Sequence, residues 1–424
     1  VRNVHRGWIV LLFIVLSVLA CLGFGRFALG AIIPFMKDGL GLSYRETGLV
    51  ASSVFLGYLI SVTTVGYFVL RYKAKDVILF SLLLTIAGML INANAAGFWS
   101  AYLGCLITGI GSGGTYIPAL GLLGQWFAKE KKGMAMGTAM AGAGMGIAFS
   151  GLAVPYLMSL IGASGWRTSW YILAAAVGLI AVLDAFFLKN SPSEFGLRPI
   201  GEKEPPKAQT KKVPYHGAGS AKDHVYRNRL VWLTGFIYLS WGFSYIVFST
   251  FLVDYLMEGR GFSKELAGTS FAAAGLFSIV SGFIWGSLSD RIGRMFTLGI
   301  VYGIQGVMLL ALTLFSSPSV LFAVIVIYSI TLWGVPSIMN ASVGDYVSAL
   351  YVPVAMGFIT LFFSIGQFVS PVAIGFLIDY TGGYLEALLL STAVCLAGGI
   401  GAFVLHHKNK SSNSTANSAA HAGN

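Results

Sequence analysis

"GLGLSYRETG" at residues 39–48 returns as "GRGFSKELAG" at 259–268, with Gly, Gly, Ser and Gly in step. The same offset holds elsewhere. Gly66 and Arg71 return as Gly286 and Arg291, and "AMG" at 135–137 returns at 355–357. Three matches in one register divide the 424 residues into two related halves. The sequence between the copies decides what kind of halves they are.

That sequence is apolar almost throughout. The chain is 56% hydrophobic and 10% charged, whereas an ordinary soluble domain is about 25% charged. One or two globular cores could not bury so much apolar surface. Helices of a soluble repeat protein would keep a polar face, and these do not. Each run is near or above the roughly 20 residues that cross a bilayer as a helix. Barrel strands would be about half as long and would alternate. An all-α membrane protein is expected, with twelve spans near 8–36, 46–70, 76–96, 98–127, 133–161, 168–188, 229–257, 264–288, 295–315, 318–343, 352–378 and 382–405.

Residues 1–188 form the first six-helix half and 229–410 the second. Between them, 189–228 is rich in Pro, Lys and Gly and reads as a flexible cytoplasmic linker. The small polar residues of 411–424 read as a disordered tail. Basic residues crowd one side: Arg2, Arg6, Arg71, Lys73, Lys75, Lys129, Lys131, Lys132, Arg291, Arg294, Lys408 and Lys410. The opposite loops balance cations with acids, as in Lys37-Asp38, Arg45-Glu46 and Glu258-Arg260. Basic loops stay inside, which predicts a multi-pass protein of the cell (inner) membrane with both termini cytoplasmic. The net charge of +11 follows from this bias and the linker, so nucleic acid is not an expected partner. No cleavable leader is expected, since the first apolar run is too long for one. Cys21, Cys105 and Cys395 lie in apolar runs without pairing or metal spacing, and the histidines sit at the ends and in the linker. No metal or cofactor is expected, and the protein should act as a monomer in the lipid bilayer.

One charge stands out inside the first run. In "CLGFGRFALGAIIP", residues 21–34, Arg26 is the only ionised side chain. A cation there costs about 2.5–3.5 kcal/mol on insertion scales, and such charges usually face a cavity. Two readings stay open. Arg26 is a structural cation that snorkels toward the surface, or it holds a carboxylate through the two parallel hydrogen bonds a guanidinium can make.

"GSLSDRIGR" at 286–294 resembles the signature loop between helices eight and nine of the major facilitator superfamily. The resemblance implies two parallel six-helix halves with a substrate site between them near the midplane. It also implies that Gly286, Asp290, Arg291, Gly293 and Arg294 form a cytoplasmic latch. Asp290 would cap the start of span five, near Gly133 and Met134. The first-half copy, "GYFVLRYKAK" at 66–75, has Leu70 in place of the acid and Lys73 in place of the second glycine. Within the superfamily, "GIGSGGTYIPALGLLGQWFAKEKKGMAMGTAMAGAGMG" at 109–146 looks like helices four and five of the monocarboxylate transporter and oxalate–formate antiporter branch. "GW" at 7–8 with a cation at 26 is similar to that branch's first helix, whose lysine binds substrate. The sequence departs where some members place an Asp and an Arg on helix eight. Here Ser278 and Gly282 stand. Helix eleven also lacks the lysine associated with oxalate, so a monoanion is favoured.

Centring each span brings Tyr58, Tyr116, Tyr245, Tyr328, Trp333, Asn340 and Gln367 near the midplane, with Tyr116, Tyr245 and Trp333 as leading substrate contacts. Asp254, in the outer half of span seven, either marks a wet helix end, pairs with Arg26, or carries a coupling proton. Asp184 and Glu386 are expected at headgroups or water. The glycine ladders read as helix-packing surfaces. The function expected is secondary transport of a small organic anion, a monocarboxylate, by alternating access. Proton symport or a counter-substrate would supply the energy. The alternatives are efflux of apolar compounds and a non-transporting membrane sensor. An enzyme is not expected, because no His, Asp or Glu cluster lies in the spans.

Overall fold

The structure is a computed structural model, and it describes residues 5–202, 225–347 and 351–422. Apart from one parallel bridge, Phe127 to Ile200, the regular structure among them is helical. Spans one to four are Arg6–Leu40, Tyr44–Arg71, Ala74–Ala93 and Phe98–Trp126. The apolar stretch that follows is two helices, Lys129–Ile161 and Gly165–Phe187, joined by a 3-10 turn at Gly162–Ser164. These are spans five and six. Span seven is Arg229–Gly259, and span eight is a pair, Lys264–Ser278 and Ser281–Ile292, bent by 41°. Spans nine to twelve begin at Arg294, Pro318, Val352 and Leu385. The twelve-helix architecture expected from the sequence is met. The last helix runs to Ala422, beyond the span that ends at Lys408. Composition predicts a disordered tail from 411, yet no Gly or Pro interrupts residues 406–422 and the helix continues through them.

The repeated motif has a local cause. Gly41 and Gly261 both sit in the left-handed region, at φ of +63° and +69°, where a helix ends most cheaply on glycine. Two residues later the next helix starts on a serine cap. Ser43 Oγ accepts from Glu46 N at 3.1 Å while Glu46 accepts from Ser43 N at 2.9 Å, a full capping box. Ser263 repeats the cap on Leu266 N at 3.2 Å, without the returning acid. The motif is thus a helix stop followed by a helix start, written once per half.

Two features are not legible in the sequence. Span one is π-helical over Leu19–Phe27, and span seven ends in a π-helical turn at Tyr255–Gly259. The packing units also do not coincide with the sequence halves. One unit takes spans one to six together with Ile246–Ile279 and Phe368–Ala387. The other holds the remainder of the second half. The first unit can recruit the first part of span eight because small residues line both facing surfaces. A Cβ on Gly144 would meet Gly275 O at 2.8 Å, and one on Gly151 would meet Ala272 N at 2.6 Å. The ladders in span five therefore pack helices, as their composition indicates.

The first part of the expected linker lies against this unit. Ile200 N donates to Trp126 O at 2.9 Å, and Trp126 Nε1 donates to Lys189 O at 3.0 Å. Residues 203–224 lie outside the described residues, and 225–228 lead into span seven.

Candidate substrate site and a charged closure

Arg26 lies in the π-helical segment of span one and is 6% exposed. A π turn widens the helix and re-aims its side chains, and such turns recur at functional sites. The tight fit of this segment depends on glycine: a Cβ on Gly23 would sit 2.8 Å from Gly146 Cα on span five. The guanidinium carbon lies 4.7 Å from the ring centres of both Phe55 and Tyr58 on span two, and 5.4 Å from Phe27. Aromatic faces attract a cation without neutralising it, by roughly 2 kcal/mol when desolvated. Tyr116 on span four is half-buried, and its hydroxyl donates to Met140 Sδ at 3.3 Å. Ser112 Oγ and Thr115 Oγ1 beside it are buried without a hydrogen-bond partner among the described residues. Of the residues expected from the first half, Arg26 and Tyr116 thus share one unit. Phe55, which shares the Arg26 site, carries no signal of its own in the sequence.

The second unit gathers the rest around a stack. Tyr245 stacks on Trp241 at 4.5 Å between ring centres, and Phe363 continues the stack 5.3 Å from Trp241. Gln367 Nε2 donates to the Tyr245 hydroxyl, and Gln367 is fully buried. Trp333 stands edge-on to Trp241 at 6.4 Å, and its backbone N donates to Ser281 Oγ at 3.0 Å. Tyr328 is buried on the first part of span ten, whereas Asn340, further along, is exposed. Trp241 and Phe363 organise this cluster, although nothing in their sequence context distinguishes them from many other aromatics.

A third group lies within the first unit, at the connections between spans one and two, seven and eight, and eleven and twelve. Asp254 is 2% exposed, which corrects the expectation of a wet helix end. Lys37 Nζ lies 3.3 Å from Asp254 Oδ1 and donates to the Tyr44 hydroxyl at 2.9 Å. Tyr384 donates its hydroxyl proton to Asp254 Oδ2. Beside this pair, Asp379 accepts from Tyr44 N at 2.9 Å and Arg45 N at 2.7 Å. The carboxylate of span eleven therefore caps the positive start of span two. Lys37 carries no signal in the sequence, because its neighbour Asp38 makes it look like a balanced loop charge.

The loop "GSLSDRIGR" is more open. Asp290 pairs with Arg294, the first residue of span nine, at 3.6 Å and is 65% exposed at its side chain. Arg294 Nη1 also reaches Asp345 Oδ1 at 2.7 Å and Ala341 O at 2.6 Å. Gly293 takes a φ of +98° and so makes the turn. A Cβ on Gly286 would meet nothing closer than Ser337 Cβ at 4.0 Å, so no close approach requires glycine there. Arg291 is exposed. A separate crevice of about 400 Å³ opens between spans two, three and four, lined by Ser61, Thr64, Phe68, Phe80, Ser81 and Gly114. It contains none of the expected site residues. Glu386 is exposed as expected, but Asp184 is fully buried.

A family model described as Major Facilitator Superfamily matches residues 15–350. A protein named as a probable sulfoacetate transporter of Cupriavidus necator is 24% identical, over 90% of both chains. A hexuronate transporter of Bacillus subtilis is 28% identical, over 89% of this chain and 88% of its own. Monocarboxylate transporter 12 of Xenopus laevis is 24% identical, over 82% and 77% respectively. Among solved structures, a bacterial homologue of the human lysosomal transporter Spinster superposes with a TM-score of 0.76 at 16% identity, covering 96% of this chain and 98% of its own. The twelve helices, the repeated halves and these matches agree: the chain belongs to the major facilitator superfamily and is a multi-pass membrane transporter, not an enzyme.

Proposed function

We propose that this protein moves a small organic monoanion, a monocarboxylate, across the cell inner membrane by alternating access, with both termini in the cytoplasm. The observation that carries the reading is Arg26, a buried guanidinium held over the faces of Phe55 and Tyr58. Ring faces steady the cation without neutralising it, and its planar N–H fork suits a carboxylate. The named substrates of the relatives, sulfoacetate, hexuronate and monocarboxylates, are all organic anions, which supports the class. Tyr116 from the same unit would hydrogen-bond the anion. Tyr245, Tyr328, Trp333, Asn340 and Gln367 are proposed to shape the substrate path in the second unit.

Asp254 has a different role in this proposal. A carboxylate 3.3 Å from Lys37 Nζ is favoured in its charged form by that amine, and the pair is proposed to hold this end closed. Protonating it would weaken the closure, so it suits a lock better than a proton carrier. Asp290, Arg291 and Arg294, with Gly286 and the turn glycine Gly293, are proposed to latch the opposite side in the other conformation.

The test is uptake by proteoliposomes of labelled lactate, pyruvate, formate and oxalate, alongside release of a lipophilic dye. Saturable uptake of a monocarboxylate, with oxalate slower, is expected. Dye movement with no anion uptake would replace the reading with efflux of apolar compounds. Movement of neither would favour a sensor.

A further inference from the structure

Asp184 is the buried acid that this transport scheme leaves unused. It sits on span six, near the helix end at Phe187, and its side chain is fully buried. Oδ2 lies 2.7 Å from Ser17 Oγ on span one, and Oδ1 has no hydrogen-bond partner among the described residues. Ser17 Oγ also lies 2.9 Å from the carbonyl of Phe13, one turn back in its own helix. A hydroxyl has a single proton and cannot give it fully to two acceptors. Both contacts are satisfied together when the carboxyl is neutral. Asp184 Oδ2–H then donates to Ser17 Oγ, and Ser17 Oγ–H donates to Phe13 O. A charged Asp184 would instead be a buried anion with one shared donor, which is the costly case.

The surrounding charges relieve that cost only in part, and Lys75 is the cation that acts on Asp184. Cys21 on span one and Lys75 on span three act on Asp184, and Asp76, Lys189 and Glu194 surround Lys75. Span five contributes Lys131 and Lys132 at its start, and Arg26 and Lys37 lie further along span one. Lys75 Nζ donates to the carbonyl of Ala185, the residue after Asp184, at 2.5 Å. Among the described residues, no ion pair includes Asp184.

We propose that Asp184 is a proton-binding site whose occupancy is tied to the position of span one. Loading forms one O–H bond on the carboxylate and removes one negative charge. Release returns the proton to water once span one draws away and the carboxyl is wetted. Ser17 lies just before the π-helical segment Leu19–Phe27, and Arg26 lies within it. A change of register there on anion binding would shift the Ser17 contact, so the proton and the anion act on the same element. This coupling rests on the transport reading above; the proton site itself does not.

Two measurements on the full chain separate them. In purified protein at neutral pH, an infrared difference spectrum against Asp184→Asn should contain one carboxylic-acid C=O band lost in the variant. Ser17→Ala keeps the acid but removes its acceptor, so the band should move to higher frequency and remain. In proteoliposomes, the ratio of labelled monocarboxylate uptake with acid outside to uptake without a gradient should exceed one, and should fall to one in Asp184→Asn. A parent spectrum without the band, or a band indifferent to Ser17→Ala, overturns the site. Gradient stimulation that persists in Asp184→Asn overturns the coupling. A parent that moves no anion defeats the transport reading, and the infrared result still decides the site.

Discussion

A guanidinium in hydrocarbon must find compensation other than bulk water, and at Arg26 part of that compensation is aromatic. Phe55 and Tyr58 flank the cation at equal distance, an arrangement that holds its position without cancelling its charge. Arg26→Gln should therefore abolish saturable anion uptake while the protein still folds and inserts. Removing a cation that costs about 2.5–3.5 kcal/mol to insert should leave the melting temperature at or above the parent's. Arg26→Lys keeps the charge but loses the bidentate fork, so it should raise KM about tenfold or more, roughly the loss of one charge-assisted hydrogen bond. A structural cation predicts the opposite pattern, poor folding with normal affinity in the surviving protein. Uptake at the parental rate by folded Arg26→Gln would end the anchor reading. Arg26 is legible in the sequence because one charge in a long apolar run is conspicuous. The rings that hold it are not, because aromatic residues are common along the chain and span two meets span one only in three dimensions.

The helix ends show how far sequence reasoning extends. Repeated Gly and Ser positions identify where spans stop and start, because left-handed glycine and a serine cap are local devices. The π segment of span one escapes, since it packs against Gly142 and Gly146 on another helix. The Lys37–Asp254 pair escapes for a similar reason: its partners are far apart in sequence and each looks like an ordinary helix-end charge. That pair makes a sharp prediction. Breaking one partner of a buried ion pair costs about 3–5 kcal/mol, whereas replacing both with apolar side chains is often neutral. Asp254→Leu or Lys37→Met alone should loosen the closure formed by spans one, two, seven and eleven. A cysteine placed at Val50, which is buried on span two, should then react faster with a maleimide. The double variant should return toward the parental rate. Equal reactivity in all four proteins would mean that the pair does not hold this end closed.

At the scale of the whole molecule, the question is which way the closure faces. The connections between spans two and three, four and five, and eight and nine carry Arg71, Lys73, Lys75, Lys131, Lys132, Arg291 and Arg294 with few acids. The connections on the other side set most cations beside an acid, Lys37 with Asp38, Arg45 with Glu46, Arg260 with Glu258 and Lys264 with Glu265, and leave Arg167 without one. Cations near a membrane surface gain about 1 kcal/mol each from the anionic cytoplasmic leaflet, and unbalanced basic loops resist translocation. The Lys37–Asp254 closure should therefore face outward. Lys73→Cys and Glu265→Cys, each made in the otherwise intact chain, test this directly. The native cysteines Cys21, Cys105 and Cys395 are buried and give a low background. A membrane-impermeant maleimide added to intact cells should label Glu265→Cys and spare Lys73→Cys, and inverted vesicles should reverse the pattern. The opposite labelling would turn the molecule over, placing the charged closure at the cytoplasmic face and making it a gate on substrate release in uptake.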